Sequence, residues 1–382
     1  MKVVICADIH LDGSFQETRN SPERLGLRHD DSRTSFLRIM DRVRETQAHL
    51  LLIAGDLFDA NKVTEETLSF IKEAFSKIKD TYIFISPGNN DPATSFSPYR
   101  KGGWPENVYI FTGGLEAVEL SIPETQEAVR IYGAGFQGQR TPTPLLRADQ
   151  IPELDSNYIN ILLMHASLEE NSSCNPVSEE LLNQCGFDFC VLGHQHQGSG
   201  VVALSNTFYA YPGTAESRNF DCQGGILIGT LSHKQQDLTC EPVTSRRYVT
   251  ESLDITTMHT HHEIAEAIRE RFPDKQHLYR ITLTGTPHPL LKLSLKSLKE
   301  SLADYYHLGL RTNLSASLEE ARPLKTGLIE DYFLSEAGRA LASGNVDPDV
   351  LRLSVQYGLA ALSSQDAMEN VFSGEEFESY ED

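Results

Sequence analysis

An α/β core of about 245 residues followed by a smaller α+β module is the architecture that this 382-residue sequence predicts. Three observations predict it. Short apolar runs alternate with amphipathic helical spacing through the first part of the chain, the texture changes after Arg247, and polar residues recur just beyond the apolar runs. The runs are 3–7, 50–54, 82–86, 108–111, 129–133, 159–164, 187–192, 207–211 and 225–228, each short enough for a buried strand. Between the first three lie helical faces: Phe36, Ile39, Met40 and Val43 on one, Leu68, Ile71, Phe75 and Ile78 on the next.

Beyond Arg247 the spacing predicts a helix over 263–272 stopped by Pro273. It then predicts a half-buried strand over 278–284, a helix over 290–302 and a strand over 307–311. Residues 1–247 are thus expected to form the main domain and 248–314 a small α+β module. Residues 315–382 read as a helical region, with Leu328, Ile329, Tyr332 and Phe333 on one face, a second helix over 347–362 and an acidic tail from Glu375 to Asp382.

The bulk numbers constrain partners. A formal charge of −21 repels a polyanion at long range, so tight nucleic-acid binding by the chain alone is disfavoured unless bound cations or a basic partner offset it. The six cysteines show no CxxC pair, which leaves neither a zinc knuckle nor a disulfide framework. The apolar run after Met1 is interrupted by Asp8, too early for a signal peptide or a membrane span, so a cytoplasmic protein is expected.

The chemistry sits at the strand ends. Asp8 and His10 follow the first run, Asp56 the second, Asn89 the third, His165 the sixth, and His194 and His196 the seventh. In open α/β sheets the ligand crevice lies beyond the carboxyl ends of strands. Five such ends would carry a mixed set of carboxylate and imidazole donors into one place, which is what a pair of divalent ions about 3.5–4 Å apart requires. The i, i+2 spacing of Asp8 and His10 suits an extended segment with both side chains on one side, and Asp56 reads as the bridging carboxylate. A lone histidine is usually a solvated or hydrogen-bonded residue. The weight lies in the joint pattern.

The strings D-x-H, GDLFD, PGNND, MHAS and GHQH resemble the calcineurin-like metallophosphoesterase superfamily, in the branch of the bacterial SbcD nuclease and its break-repair counterparts. Within that branch ADIHLDGSF, ISPGNNDP and YPGTAESRNFD resemble YhaO-like proteins. The resemblance is specific over 1–230 and holds only in outline beyond. It implies a four-layered β-sandwich flanked by helices, an α+β cap and C-terminal helices. It also implies two divalent ions, manganese foremost, one held by Asp8, His10 and His196, the other by Asn89, His165 and His194, with Asp56 touching both. The implied reaction is in-line hydrolysis of phosphodiesters, with DNA as substrate, a long coiled-coil ATPase of the SbcC type as partner and a homodimer as assembly.

One departure matters. Where the family pattern runs Gly-Asn-His-Asp, this chain has Gly88, Asn89, Asn90 and Asp91. The family's histidine orients phosphate and protonates the leaving oxygen. Asparagine does not donate a proton at neutral pH, and losing a general acid costs about 10²–10⁴-fold in rate. A natural variant with slow chemistry, an inactive scaffold and a substitution introduced to trap a complex remain open readings of Asn90. Asp91 and Asp59 complete the catalytic candidates; Asp59 stands where some relatives carry a second histidine, and a hydrogen-bonding role behind the ligands suits it equally. Rival functions are a phosphoesterase for small nucleotides or phosphomonoesters, and a metal-binding scaffold.

Other features point elsewhere. His259, His261 and His262 lie at a helix start with no supporting Cys or carboxylate spacing. Trp104 and the Tyr305–Tyr306 pair read as packing residues before base-stacking ones. No Walker-type glycine loop occurs, so nucleotide hydrolysis would fall to a partner.

Overall fold

The computed structural model describes residues 1–15, 18, 22–222, 224–287, 291, 293–314 and 329–344, with scattered positions from 346 to 362. These fall into two compact units, Met1–Arg246 and Arg247–Asp382.

The first unit begins with β1 (Lys2–Cys6), α1 (Pro22–Thr46), β2 (Leu50–Ile53), α2 (Glu65–Ser76), β3 (Tyr82–Ile85) and β4 (Val108–Ile110). It continues with β5 (Glu116–Ile122), β6 (Glu127–Gly133), β7 (Ile159–His165), α3 (Glu179–Cys185), β8 (Phe189–Gly193), β9 (Gly200–Ala203), β10 (Phe208–Tyr211), β11 (Ile226–Ser232) and β12 (Gln235–Glu241). Two six-stranded sheets result, ordered β12-β11-β1-β2-β3-β4 and β5-β6-β7-β8-β10-β9. Strands β1 to β4 run parallel, with Val3 opposite Leu50 and Leu50 opposite Tyr82, and β6, β7, β8 and β10 are parallel in the second sheet.

Pleat explains why these strands read as unbroken apolar runs. In β1, Val4 and Cys6 point into a core shared with Phe36, Ile39 and Val43 of α1 and Ile71 and Phe75 of α2. Val3 and Ile5 point the other way, into a core filled from the opposing sheet by Ile131, Ile161, Leu163, Phe189 and Val191. A third core covers the far face of the second sheet, where Leu162, Met164 and Cys190 meet Leu182 and Cys185 of α3. The layers are helix, sheet, sheet, helix. A strand buried on both faces has no polar side, whereas one at a sheet edge does. The strands of this unit that no apolar run announced, β5, β9 and β12, are all sheet edges with alternating or exposed side chains.

The second unit holds a parallel three-stranded sheet of β13 (Tyr248–Asp254), β14 (Leu278–Gly285) and β15 (His307–Leu314), with α4 (His261–Arg271) and α5 (Leu295–Ser301). Ile264, Ile268, Tyr279, Ile281, Leu298 and Leu310 share its core. Helix α4 starts two residues before the expected Glu263 because Thr260 caps it, its hydroxyl accepting from Glu263 N. Helix α5 is shorter than the expected 290–302 because Ser294 caps it, accepting from Ser297 N. Strand β15 runs three residues past the expected Arg311.

Helix α6 (Ile329–Ser343) packs Ala337, with Phe333 and Ala340, on Leu351 and Val355, while Ile329 and Tyr332 are exposed. Leu328, most of the expected second helix and the whole acidic tail lie outside the described residues. No helix among the described residues is long and apolar enough to cross a membrane.

Candidate metal centre

The site forms where strands of both sheets end. Beyond β1 and β2 the backbone stays zipped: Asp8 N donates to Gly55 O at 3.0 Å, His10 N to Asp56 O at 2.8 Å and Leu11 N to Leu57 O at 3.0 Å. The Asp8–His10 segment is not the extended stretch that its spacing suggests. Asp8 and His10 both have φ of 50°, Asp56 has 52° and His194 has 100°, so four candidate ligands occupy the left-handed region. Such backbone is disfavoured for residues with a Cβ and persists where surrounding hydrogen bonds impose it, commonly at functional sites. Thr214 Oγ1 donates to Asp8 O at 2.7 Å, and His194 N donates to the Asp8 carboxylate at 3.1 Å.

Close approach of the two sheets also fixes glycine at one strand end. A Cβ on Gly193 would lie 1.8 Å from Ala54 O, so only glycine lets β8 deliver His194 and His196 to this point.

The side chains converge. His10 Nε2 is 3.1 Å from His196 Nε2 and 3.6 Å from Asp56 Oδ2, and His196 Nε2 is 4.0 Å from Asp8 Oδ1. His165 Nε2 is 2.9 Å from Asn89 Oδ1 and 3.7 Å from Asp56 Oδ2. Donor atoms of Asp8, His10 and His196, and of Asp8, Asp56 and His165, form two groups whose members all lie within 4.8 Å of one another, joined at Asp8. The His194 ring packs edge-on to His165 with centroids 5.3 Å apart. Among the described residues no comparable group forms around His259–His262; His261 Nε2 accepts from Ser294 N at 2.8 Å.

Hydrogen bonding sets the tautomers. His165 Nδ1 faces Ala54 O at 2.9 Å and His10 Nδ1 faces the Asp59 carboxylate at 2.8 Å, so each Nδ1 is the donor. Both Nε2 atoms then carry lone pairs. That of His165 points at Asn89 Oδ1, an acceptor aimed at an acceptor, and both imidazole lone pairs face Asp56. Burial and the neighbouring Asp56 charge push the Asp8 carboxyl well above its ordinary range. Burial likewise holds His165 below its ordinary value and His196 down to about 3. Imidazole nitrogens and crowded carboxylates in a buried pocket are a donor set for cations, and divalent ions fit it.

The catalytic candidates divide by position. Asn90 is turned inward: its backbone N donates to Asp56 Oδ1 at 2.9 Å and its Nδ2 to Oδ2 at 2.7 Å. Burial alone would raise Asp56, but His165, His10 and the Asn90 hydrogen bonds outweigh it and hold this carboxyl below its ordinary value. Asp59 stands behind His10. Burial opposes its ionisation, yet the His10 hydrogen bond prevails and brings it down to about 2.

Asp91 lies deeper still. It accepts from Asp56 N at 3.1 Å, Leu57 N at 2.7 Å, Gly88 N at 2.7 Å and the Tyr99 hydroxyl at 2.6 Å. Burial and the Asp56 charge push it up to about 7. Four donors hold this fully buried carboxylate behind the candidate ligands.

Several supporting residues carry no sequence signal. Tyr99 is eight positions past Asp91, in a single 3-10 turn (Pro98–Arg100) capped by Ser97. Asn175, with φ of 49°, donates to His165 O at 2.9 Å. Arg28, fully buried 188 positions from its partner, pairs with Glu216 at 2.7 Å and donates to Ser217 O at 2.7 Å, tying the loop that carries Thr214 to α1. Trp104 packs against Phe75 and Tyr99, and Tyr305 is buried with its hydroxyl donating to Phe272 O at 2.7 Å, so both are packing residues.

Fold and site together define a metallophosphoesterase. The chain belongs to the calcineurin-like phosphoesterase family, whose pattern matches residues 1–198. It is similar to the metallophosphoesterase YhaO of Bacillus subtilis (strain 168), at 24% identity over 363 residues and 88% of each chain. It is also similar to the SbcD component of the SbcCD nuclease of Staphylococcus epidermidis, at 23% identity over 331 residues, covering 77% of this chain and 82% of that one. The DNA double-strand break repair protein Mre11 of Methanopyrus kandleri matches at 24% identity over 241 residues, 58% of this chain and 50% of that protein.

Proposed function

We propose that this chain is a dinuclear-metal phosphodiesterase that acts on DNA as the nuclease subunit of a complex with a coiled-coil ATPase. The observation that carries the reading is the pair of donor groups joined at Asp8, with Asp56 between His10 and His165. In this assignment Asp8, His10 and His196 hold one ion, Asn89, His165 and His194 hold the other, and Asp56 contacts both. Divalent ions there, manganese foremost for mixed oxygen and imidazole donors, would supply Lewis-acid charge to the phosphoryl oxygen and activate water.

The protein's own residues orient that chemistry. Asp59 keeps His10 in the tautomer that offers Nε2, and Ala54 O does the same for His165. Asn90 aims both oxygens of Asp56, and Asp91 fixes the backbone of the Asp56 and Gly88 loops. With an amide at position 90, protonation of the leaving oxygen falls to water, so hydrolysis is slow. The same inward-facing amide favours a second reading, a metal-binding scaffold subunit that positions the ATPase.

The net charge of −21 supports shared DNA binding, in which bound cations and the partner supply the attraction. The module at 248–314 would face DNA, the helices beyond 315 would dock the ATPase, and the subunit would work as a cytoplasmic homodimer. The test is manganese-dependent cleavage of linear DNA by the chain and by Asn90→His, each with and without the ATPase, alongside cyclic nucleotides and phosphomonoesters. Restored histidine is expected to raise DNA cleavage by about 10²-fold or more. Cleavage by neither protein under any condition sinks the nuclease reading and leaves the scaffold; hydrolysis confined to small substrates makes the chain a small-molecule phosphoesterase.

A further inference from the structure

We propose that Lys62 is a substrate-binding residue whose ammonium takes a non-bridging oxygen of the scissile phosphate, on the rim where Asn90 offers no charge. The inference rests on the phosphodiesterase reading above and adds the group that meets the substrate's negative charge.

The placement follows from the backbone. Ala60 N donates to Asn90 O at 2.8 Å, which lays the loop after Asp56 directly against Asn90. Lys62 N and Val63 N both donate to Asp59 O at 2.9 Å, a tight turn that returns Lys62 over Asp59. Its Nζ lies 3.3 Å from Asp59 Oδ2 and donates to Ser14 Oγ at 2.7 Å, while the other Asp59 oxygen bonds His10 Nδ1. The ammonium is therefore separated from the His10 ring by one carboxylate.

Its chemistry fits an incoming phosphate. An ammonium has three N–H donors; Asp59 and Ser14 take two, and the side chain remains 46% exposed, so the third faces solvent. Nearby guanidinium groups are committed differently. Arg100 donates to Ala93 O and Thr112 O, and Arg218 lies against Phe15 and donates to Ser14 O. A phosphodiester entering beside Asp8, Asp56 and Asp59 brings further negative charge, and a compact, flexible cation at the rim lowers that cost. A lysine that merely braces Asp59 would predict a different result, because its loss would disturb His10 and metal binding in place of phosphate binding.

The experiment is calorimetric titration of the manganese-loaded full chain with inorganic phosphate, together with steady-state hydrolysis of bis(p-nitrophenyl) phosphate, for the parent, Lys62→Met and Lys62→Arg. Loss of a charge-assisted hydrogen bond is expected to weaken phosphate binding and raise KM by about tenfold or more in Lys62→Met, with manganese stoichiometry unchanged. Lys62→Arg is expected to keep most of the affinity. Phosphate binding by Lys62→Met within about twofold of the parent overturns the proposal, as does a parent that binds no phosphate, or loss of manganese in Lys62→Met. Intact, Lys62-dependent phosphate binding with no hydrolysis of any diester would instead count against the phosphodiesterase reading and leave Lys62 as an anion-binding residue.

Discussion

Asn90 holds both oxygens of Asp56, Nδ2 donating to Oδ2 at 2.7 Å and the backbone N to Oδ1 at 2.9 Å. The carboxylate assigned to both ions is thereby aimed by the residue that stands in place of the histidine of the Gly-Asn-His-Asp pattern. Under the proposed function, changing that position is expected to alter two properties at once, proton delivery and the orientation of Asp56.

Removing the charge of Asp56 is expected to abolish tight binding of manganese. In the parent, ligand at a hundred times its dissociation constant stabilises the native state by about 2.7 kcal/mol, and Asp56→Asn should lose that manganese-dependent rise in Tm. Without metal the variant should be less stable than the parent at neutral pH, because the native state holds the Asp56 carboxyl below its ordinary value and Asn90 Nδ2 loses its carboxylate acceptor. Thermal scans with and without manganese measure both; full stoichiometric binding by Asp56→Asn would show that the carboxylate is not a ligand.

Tyr99→Phe tests the layer behind the ligands. It removes the 2.6 Å hydrogen bond to Asp91 and leaves a buried carboxylate oxygen short of one donor, at a cost of about 1–3 kcal/mol. Because Asp91 also fixes the amides of Asp56, Leu57 and Gly88, manganese affinity is expected to fall along with stability. An unchanged denaturation midpoint would remove Tyr99 from the support of the site.

Gly88→Ala probes crowding. The added Cβ would lie 2.3 Å from Asp56 Oδ1 and 2.7 Å from His165 Nδ1, so the two ligands must separate. Metal binding is expected to fail by calorimetry while the far-UV circular dichroism is retained, since the strain is local to the strand end. Normal manganese affinity in this variant would contradict the packing described.

Cys190 gives a pH dependence with a definite sign. Burial pushes its thiol from the ordinary value of 9.0 up to about 12. Above pH 9.0 the unfolded chain loses this proton while the native state keeps it, so the group's contribution to stability falls as pH rises towards 12. The Cys190→Ala variant should show a shallower loss of denaturant midpoint over that window. Native-state alkylation followed by mass spectrometry should label exposed Cys240 well before buried Cys6 and Cys190, and equal rates would refute this protection.

Much of the arrangement was legible along the chain. Val3 to Cys6, Leu50 to Ile53 and Ile159 to Met164 read as strands because burial on both faces leaves no polar position, and Asp8, Asp56, Asn89, His165, His194 and His196 were visible as polar residues at the ends of such runs. Edge strands β5, β9, β12 and β13 were not, since solvent on one side permits almost any polar residue there. The extended reading of Asp8–His10 failed for a related reason. A left-handed φ of 50° at each residue is imposed by partners at Gly55, Asp56 and Thr214, which spacing between neighbours does not reveal.

By itself, then, the sequence determined which donor atoms exist and that each stands at a strand end, because apolar periodicity and burial are local properties of the chain. Tertiary structure alone decided which nitrogen of His10 and of His165 faces the pocket, that Asn90 grips Asp56, and that Asp91 stands behind the candidate ligands. Those choices belong to hydrogen bonds between residues as far apart as His194 and Asp8, 186 positions along the chain, and such partners acquire a direction only when the two sheets stack.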